Sequence, residues 1–121
     1  MQADLLRKET GEAGELQAAR YLEGEGYTII DRNFKTPVGE IDIIAKKGGI
    51  LHFFEVKTRH GMNFGGPFDA LTPLKKRRIR KTAKWFLAQK KGICLPCLFG
   101  VVGIDLSQNP PTIECLVDAF E

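Results

Sequence analysis

No aspartate or glutamate occurs among residues 70–104, a stretch that holds nine lysines and arginines. The rest of the chain is acidic on balance: residues 1–69 carry eleven acids against nine bases, and residues 105–121 four acids and no base. The net charge of +3 therefore understates a concentrated positive block, which points to a polyanionic partner. Cysteine is scarce and odd in number, three in all, which excludes a disulfide framework. No apolar run is long enough to span a membrane, and residues 1–9 lack the apolar stretch of a signal peptide. A cytoplasmic location without membrane association is the default expectation. The 121 residues suit one domain, 1–121, with a real core.

What is present is clearest at residues 39–59. Two apolar runs flank Gly48-Gly49, a hairpin signal. With a two-residue turn, partners sum to 97, so Asp42 faces Glu55 and Glu40 faces Lys57; a four-residue loop over Lys46 to Gly49 would shift the pairing but keep the parity, and a three-residue loop would break it. Alternation puts Asp42, Glu55 and Lys57 on one face with Ile44 and Phe53. Ile41, Ile43 and Ala45 fill the opposite face with His52, Phe54 and Val56. Opposed carboxylates ~5 Å apart repel by about 3 kcal/mol at an effective dielectric of ~20. A divalent cation is the simplest compensation. The plainer alternative is a set of strand charges facing solvent, with Lys57 paired to Glu40.

Around this hairpin the spacing predicts a helix over 10–25, capped by Thr10 and stopped by Gly26, and a short strand at 27–31. Residues 33–38 read as a connector or irregular strand start. The hairpin strands are expected at 40–45 and 50–57, with apolar character on both faces, as in a central pair covered on both sides. Residues 59–71 form a glycine-rich loop. Thr72-Pro73 opens a second helix with an apolar stripe of Ile79, Ala83, Phe86 and Leu87, ended by Gly92. Strands follow at 97–106 and 112–117. Helix, three strands, helix and two strands suit a mixed α/β sheet with helices on both faces.

Three constellations carry chemistry. In the first, Asp42 and Glu55 could hold Mg²⁺ or Mn²⁺ for phosphodiester hydrolysis, with Lys57 orienting water or stabilising the transition state. Glu15 falls on the inward stripe of the first helix with Ala18, Ala19 and Leu22, and either joins this group or reaches solvent from the border. The second is the basic stripe of Arg77, Arg80, Lys81 and Lys84, suited to phosphate contact or simply a solvated face. Trp85 and Phe64 can stack on bases, but core packing is the expectation for both. The third, Cys94-Leu-Pro-Cys97, is incomplete as a zinc site, because Cys115 alone does not complete four ligands. His52 is expected in the core and His60 in a loop.

The motifs Gly11-Glu-Ala-Gly-Glu15, Gly39-Glu-Ile-Asp42 and Glu55-Val-Lys57-Thr-Arg59, with Gly26-Tyr27 and Arg32-Asn33-Phe34, resemble the YraN-like family of small bacterial proteins. That family is placed in the PD-(D/E)XK, or restriction-endonuclease-like, nuclease superfamily, near the archaeal Holliday junction resolvases. The resemblance covers nearly the whole chain and implies an αβββαβ core with the site at the hairpin. It implies Asp42 and Glu55 as metal ligands, Lys57 as the catalytic lysine, and Glu15 as the first-helix carboxylate that completes the metal shell or binds its water. Arg59 and Lys75 would contact phosphate. DNA, branched or junction DNA among its forms, is the implied partner, with RNA as a second candidate and a homodimer as the resolvase-like assembly. The chain departs from the family where the fourth strand often begins Arg-Phe-Asp: here it reads Leu98-Phe99-Gly100. The competing functions are a metal-dependent nuclease, a non-catalytic nucleic-acid-binding module on the same fold, and a protein-interaction module whose basic helix meets an acidic partner.

Overall fold

The structure is a computed structural model that describes residues 2–59, 71–89, 94–107 and 109–121, with side chains from Glu12 onward. The order is α1 (Gln2–Gly24), β1 (Thr28–Thr36), β2 (Gly39–Lys47), β3 (Ile50–Arg59), α2 (Pro73–Gln89), β4 (Cys97–Asp105) and β5 (Thr112–Phe120). The strands form one mixed sheet in the spatial order β1-β2-β3-β4-β5. All neighbours are antiparallel except β3 and β4, which run parallel through the α2 crossover. This is the expected α/β architecture, consistent with a restriction-endonuclease-like αβββαβ core to which β5 adds an edge.

Each helix covers one face. Ala18, Ala19 and Leu22 of α1 pack with Ile43, Ala45, Phe54, Val102 and Ile104. Ile79, Ala83 and Phe86 of α2 pack with Ile41, Ile44, Leu51 and Phe53. With apolar side chains needed on both faces, the central strands read as nearly continuous hydrophobic runs. His52 lies in the first layer, stacked on Phe54 and edge-on to Tyr27. Its Nδ1 has no hydrogen-bond partner, and burial pushes its pKa down, favouring the neutral ring.

Several boundaries differ from expectation. The first helix begins at Gln2, so Thr10 lies inside it rather than capping it; Gln, Ala, Leu, Arg, Lys and Glu in residues 2–9 all tolerate a helix well. It closes before Gly26, whose φ of 95° suits the end of a helix. β1 reaches Thr36, so most of the expected connector at 33–38 is strand. The Thr72 cap is present, its Oγ1 accepting the Lys75 N–H at 3.1 Å. Most of the glycine-rich loop, including His60 and Phe64, and the expected stop at Gly92 lie outside the described residues.

Candidate functional site

The hairpin turn is the two-residue one, with Gly48 and Gly49 both at positive φ (59° and 77°). From it the β2–β3 ladder runs from Lys47↔Ile50 to Ile43↔Phe54, in the expected register, and stops. It ends one pair short of Asp42 and Glu55, the two carboxylates expected to face each other, and so does not extend to Glu40 and Lys57.

The cause is a kink shared by two strands. Across β1, Asn33 adopts φ 54° between the pairs Arg32↔Ile43 and Phe34↔Ile41. Asparagine tolerates this left-handed conformation better than most residues. Opposite it, β2 changes face at Asp42: Ile43 packs under α1, whereas Ile41 packs under α2, contrary to the expectation that both share a face. β2 and β3 part here, and the Asp42 side chain closes the gap. Its Oδ2 accepts the Val56 N–H at 2.8 Å, doing for β3 what a backbone carbonyl of β2 would otherwise do.

Beside Asp42, the Glu55 side chain is 11% exposed and its Oε1 meets two lysines. Lys75 Nζ lies at 2.5 Å and Lys57 Nζ at 3.7 Å. The Thr72 cap fixes the start of α2 and so sets Lys75 in its first turn, over the C-terminal half of β3. Glu15 comes from the other face. Its neighbour Gly14 lies against Thr58 so closely that a Cβ would stand 2.0 Å from Oγ1, which draws α1 onto β3. The charge of Glu15 is felt at Asp42.

The electrostatics follow from crowding. Burial, then the charge of Glu55, pushes the Asp42 carboxyl up to about 8, against the lowering effect of the Val56 N–H; Glu15 and Glu40 add to the rise. Burial, followed by the hydrogen bond and charge of Lys75, pushes Lys57 down, while Glu55 and Asp42 partly hold it up. Burial alone would depress Lys75 too, but its hydrogen bonds to Glu55 and Lys57 and the charges of Glu55 and Asp42 together outweigh that, and its pKa rises. Of the two lysines, Lys57 is the one biased to release its proton.

Glu55 and Lys75, but not Asp42 or Lys57, border a cleft of about 410 Å³ that Glu40, Arg78 and Leu74 also line. Among the described residues no group of three or more His, Cys, Asp or Glu side chains is placed to hold a metal ion, so Glu15 does not form a three-carboxylate site with Asp42 and Glu55. Asp42 and Glu55 instead present oxygen donors of the kind Mg²⁺ takes when one or two carboxylates share it with water and a phosphate. Mutual repulsion at a half-buried acid is the chemistry a cation would relieve, so the donor set fits such an ion.

The structure brings together Asp42, Glu55, Lys57 and Lys75, while Glu15 reaches this group only through its charge at Asp42. Arg59 ends β3, its carbonyl accepting the Leu106 N–H at 2.7 Å. The basic helix is divided. Arg77, Lys81 and Lys84 are exposed, whereas Arg80 donates from Nη1 to the Glu121 carbonyl at 2.7 Å and, with Lys76, lies over the Phe120 ring. One residue was missed and another misplaced. Arg78 lines the cleft, a position signalled by its i+3 spacing from Lys75. Trp85 is 43% exposed rather than in the core. Cys94, Cys97 and Cys115 are free thiols. Gly100, the departure from Arg-Phe-Asp, faces Phe54 and the Leu116 carbonyl, each 2.7 Å from where a Cβ would be, so aspartate does not fit there in this chain.

Fold and site together define a five-stranded α/β protein with a carboxylate–lysine cluster where its second and third strands part. The sequence model of the uncharacterised protein family UPF0102 matches residues 14–104, a span that contains every element from the Gly14 contact through most of β4. A UPF0102 protein of Geobacter sulfurreducens is 46% identical over 112 residues, covering 92% of this chain and 88% of the relative. Those of Symbiobacterium thermophilum and Dehalococcoides mccartyi are 45% and 42% identical, over 83% and 94% of this chain and 85% and 94% of theirs. The chain belongs to the UPF0102 family, in keeping with the YraN-like resemblance of its motifs.

Proposed function

We propose that the protein is a metal-dependent nuclease that hydrolyses phosphodiester bonds in DNA, branched DNA among its forms. The observation that carries this reading is Asp42: a carboxyl pushed up to about 8 where two strands part, beside Glu55 and a lysine biased towards neutrality. The likeness of the motifs and the αβββαβ order to the PD-(D/E)XK superfamily supports it.

Mg²⁺ or Mn²⁺ held by Asp42 and Glu55, with Glu15 behind them, would supply charge neutralisation and an acidified water. Asp42, once deprotonated, and Glu55 would be the residues to hold the cation, and Lys75, now paired with Glu55, would then be available to meet the substrate phosphate. Lys57 accepts or holds a proton at Nζ beside the attacking water. Arg59, Arg77, Lys81 and Lys84 contribute phosphate contacts that hold the strand in register.

The Glu55–Lys75 ion pair favours one competing reading, a non-catalytic nucleic-acid-binding module whose second carboxylate stays neutralised by lysine. Cleavage separates the two. Wild type, Asp42→Asn and Glu55→Gln are incubated with duplex, single-stranded and four-way-junction DNA, with Mg²⁺ or Mn²⁺ and with a chelator. The nuclease reading expects cutting by wild type alone, and only with metal. Binding without cutting by all three proteins would replace it with the binding module.

A further inference from the structure

The exposed apolar side chains on α2 are not scattered. Leu74, Arg78, Lys81, Trp85 and Ala88 follow one another at spacings of four, three, four and three residues, which is a single stripe along a helix. All five are exposed, Leu74 at 48% and Trp85 at 43%. The stripe starts inside the Glu55 cleft, which Leu74 and Arg78 line, and ends at a shallow recess formed by Lys84, Trp85, Ala88 and Gln89. Between its two apolar ends stand two cations, with Arg77 and Lys84 beside them and no acid among residues 70–104.

Resting on the nucleic-acid reading above, we propose that Trp85 is a stacking platform for an unpaired nucleotide, in a single-stranded segment that leaves the Glu55 cleft along α2. The charge of the stripe fits a phosphate backbone, and Arg78 and Lys81 lie between the cleft and the ring. A solvated lysine face gains nothing from a half-exposed indole, whereas a base gains a π surface to stack on. Bases in a duplex keep their faces covered, so the ring selects unpaired ones. At 1.5 Å per residue, Leu74 and Trp85 are separated by ~16 Å along the helix, a span that at most about five nucleotides cover at the ~3.4 Å of a stacked strand, and fewer when the strand is extended. The substrate class this names is a strand with several unpaired nucleotides beside the site of attack, as at a flap, a gap or an opened branch.

Trp85 is the chain's one tryptophan, so its emission reports on this position alone. The full-length protein, without metal, is titrated with a deoxythymidine dodecamer, a blunt duplex of equal length, heparin, and phosphatidylserine vesicles. Anisotropy of labelled oligonucleotides measures affinity independently. The dodecamer is expected to quench Trp85 strongly while heparin and duplex do not. Trp85→Ala should weaken dodecamer binding about tenfold, with Trp85→Phe in between and duplex affinity unchanged. Equal dodecamer affinity for wild type and Trp85→Ala, or equal quenching by heparin, overturns the stacking role while leaving nucleic-acid binding intact. No anisotropy change with any nucleic acid, or an emission shift with vesicles alone, overturns both.

Discussion

Gly14 of α1 and Thr58 of β3 touch so closely that no side chain fits between them. A Cβ on Gly14 would lie 2.0 Å from Thr58 Oγ1, 3.1 Å from Cβ and 3.2 Å from Cγ2. Rotating the threonine can swing Oγ1 away, but Thr58 Cβ does not move with that rotation and stays 3.1 Å from the added methyl.

Gly14→Ala is therefore expected to destabilise the protein by about 1–2 kcal/mol. The overpacking cost of about 1–3 kcal/mol exceeds the gain of roughly 0.5–1 kcal/mol from replacing a helical glycine. Urea unfolding measures the difference, and Gly14→Ala/Thr58→Ala should recover part of it. A Gly14→Ala protein as stable as wild type would mean that α1 is free to move off the sheet. Glu15 would then not be held near Asp42.

The raised pKa of Asp42 makes a signed prediction. The folded state keeps the proton up to about pH 8, while the unfolded chain loses it near 3.8. Its contribution to stability is thus fully present below pH 3.8 and is lost as pH rises through about 8. Lys57, pushed down from 10.5, has the opposite slope, in the alkaline window beneath 10.5. In metal-free protein the Tm should fall between pH 5 and 8, and Asp42→Asn should flatten that decline. Added Mg²⁺ should stabilise wild type more at pH 8 than at pH 5, since it competes with the proton. A wild-type profile identical to that of Asp42→Asn would show that Asp42 titrates normally.

Lys75 competes with any cation for Glu55. Its side chain is 36% exposed, so the pair is worth no more than about 1 kcal/mol, which corresponds to roughly fivefold in affinity. Lys75→Met should tighten Mn²⁺ binding by about that factor in calorimetry, and Glu55→Gln should abolish the gain. Unchanged Mn²⁺ affinity in Lys75→Met would separate the ion pair from the metal site.

The register of the hairpin was legible because Gly48-Gly49 permits a turn that few other residues form, and the turn sets every pair up to Ile43↔Phe54. The kink beyond it was not. Both faces of the sheet are covered, so Ile41 is as well placed under α2 as beside Ile43, and the apolar pattern carries no mark of the change. Asn33 was the available trace, a residue tolerant of positive φ opposite the acid. The Glu55–Lys75 pair depends on where the crossover lays α2, which local spacing does not specify. Trp85 was readable after all. It sits one residue, or 100° of helix, from Phe86, outside the stripe of Ile79, Ala83 and Phe86. The usual burial of tryptophan hid a position that periodicity already placed outside.

The single parallel joint among the described strands has a consequence for assembly. β1, β2 and β3 are wired to one another by short antiparallel turns, and β4 to β5 likewise, so each half of the sheet is made of near neighbours in sequence. Only the β3–β4 seam joins segments separated by the whole of α2. Its closure bears the larger loop entropy. Glu55 and Lys57 lie on one side of that seam, and Lys75 on the helix that bridges it. The charge cluster is complete only when the two halves have met, so a half-folded chain has the carboxylates without the lysine that neutralises them.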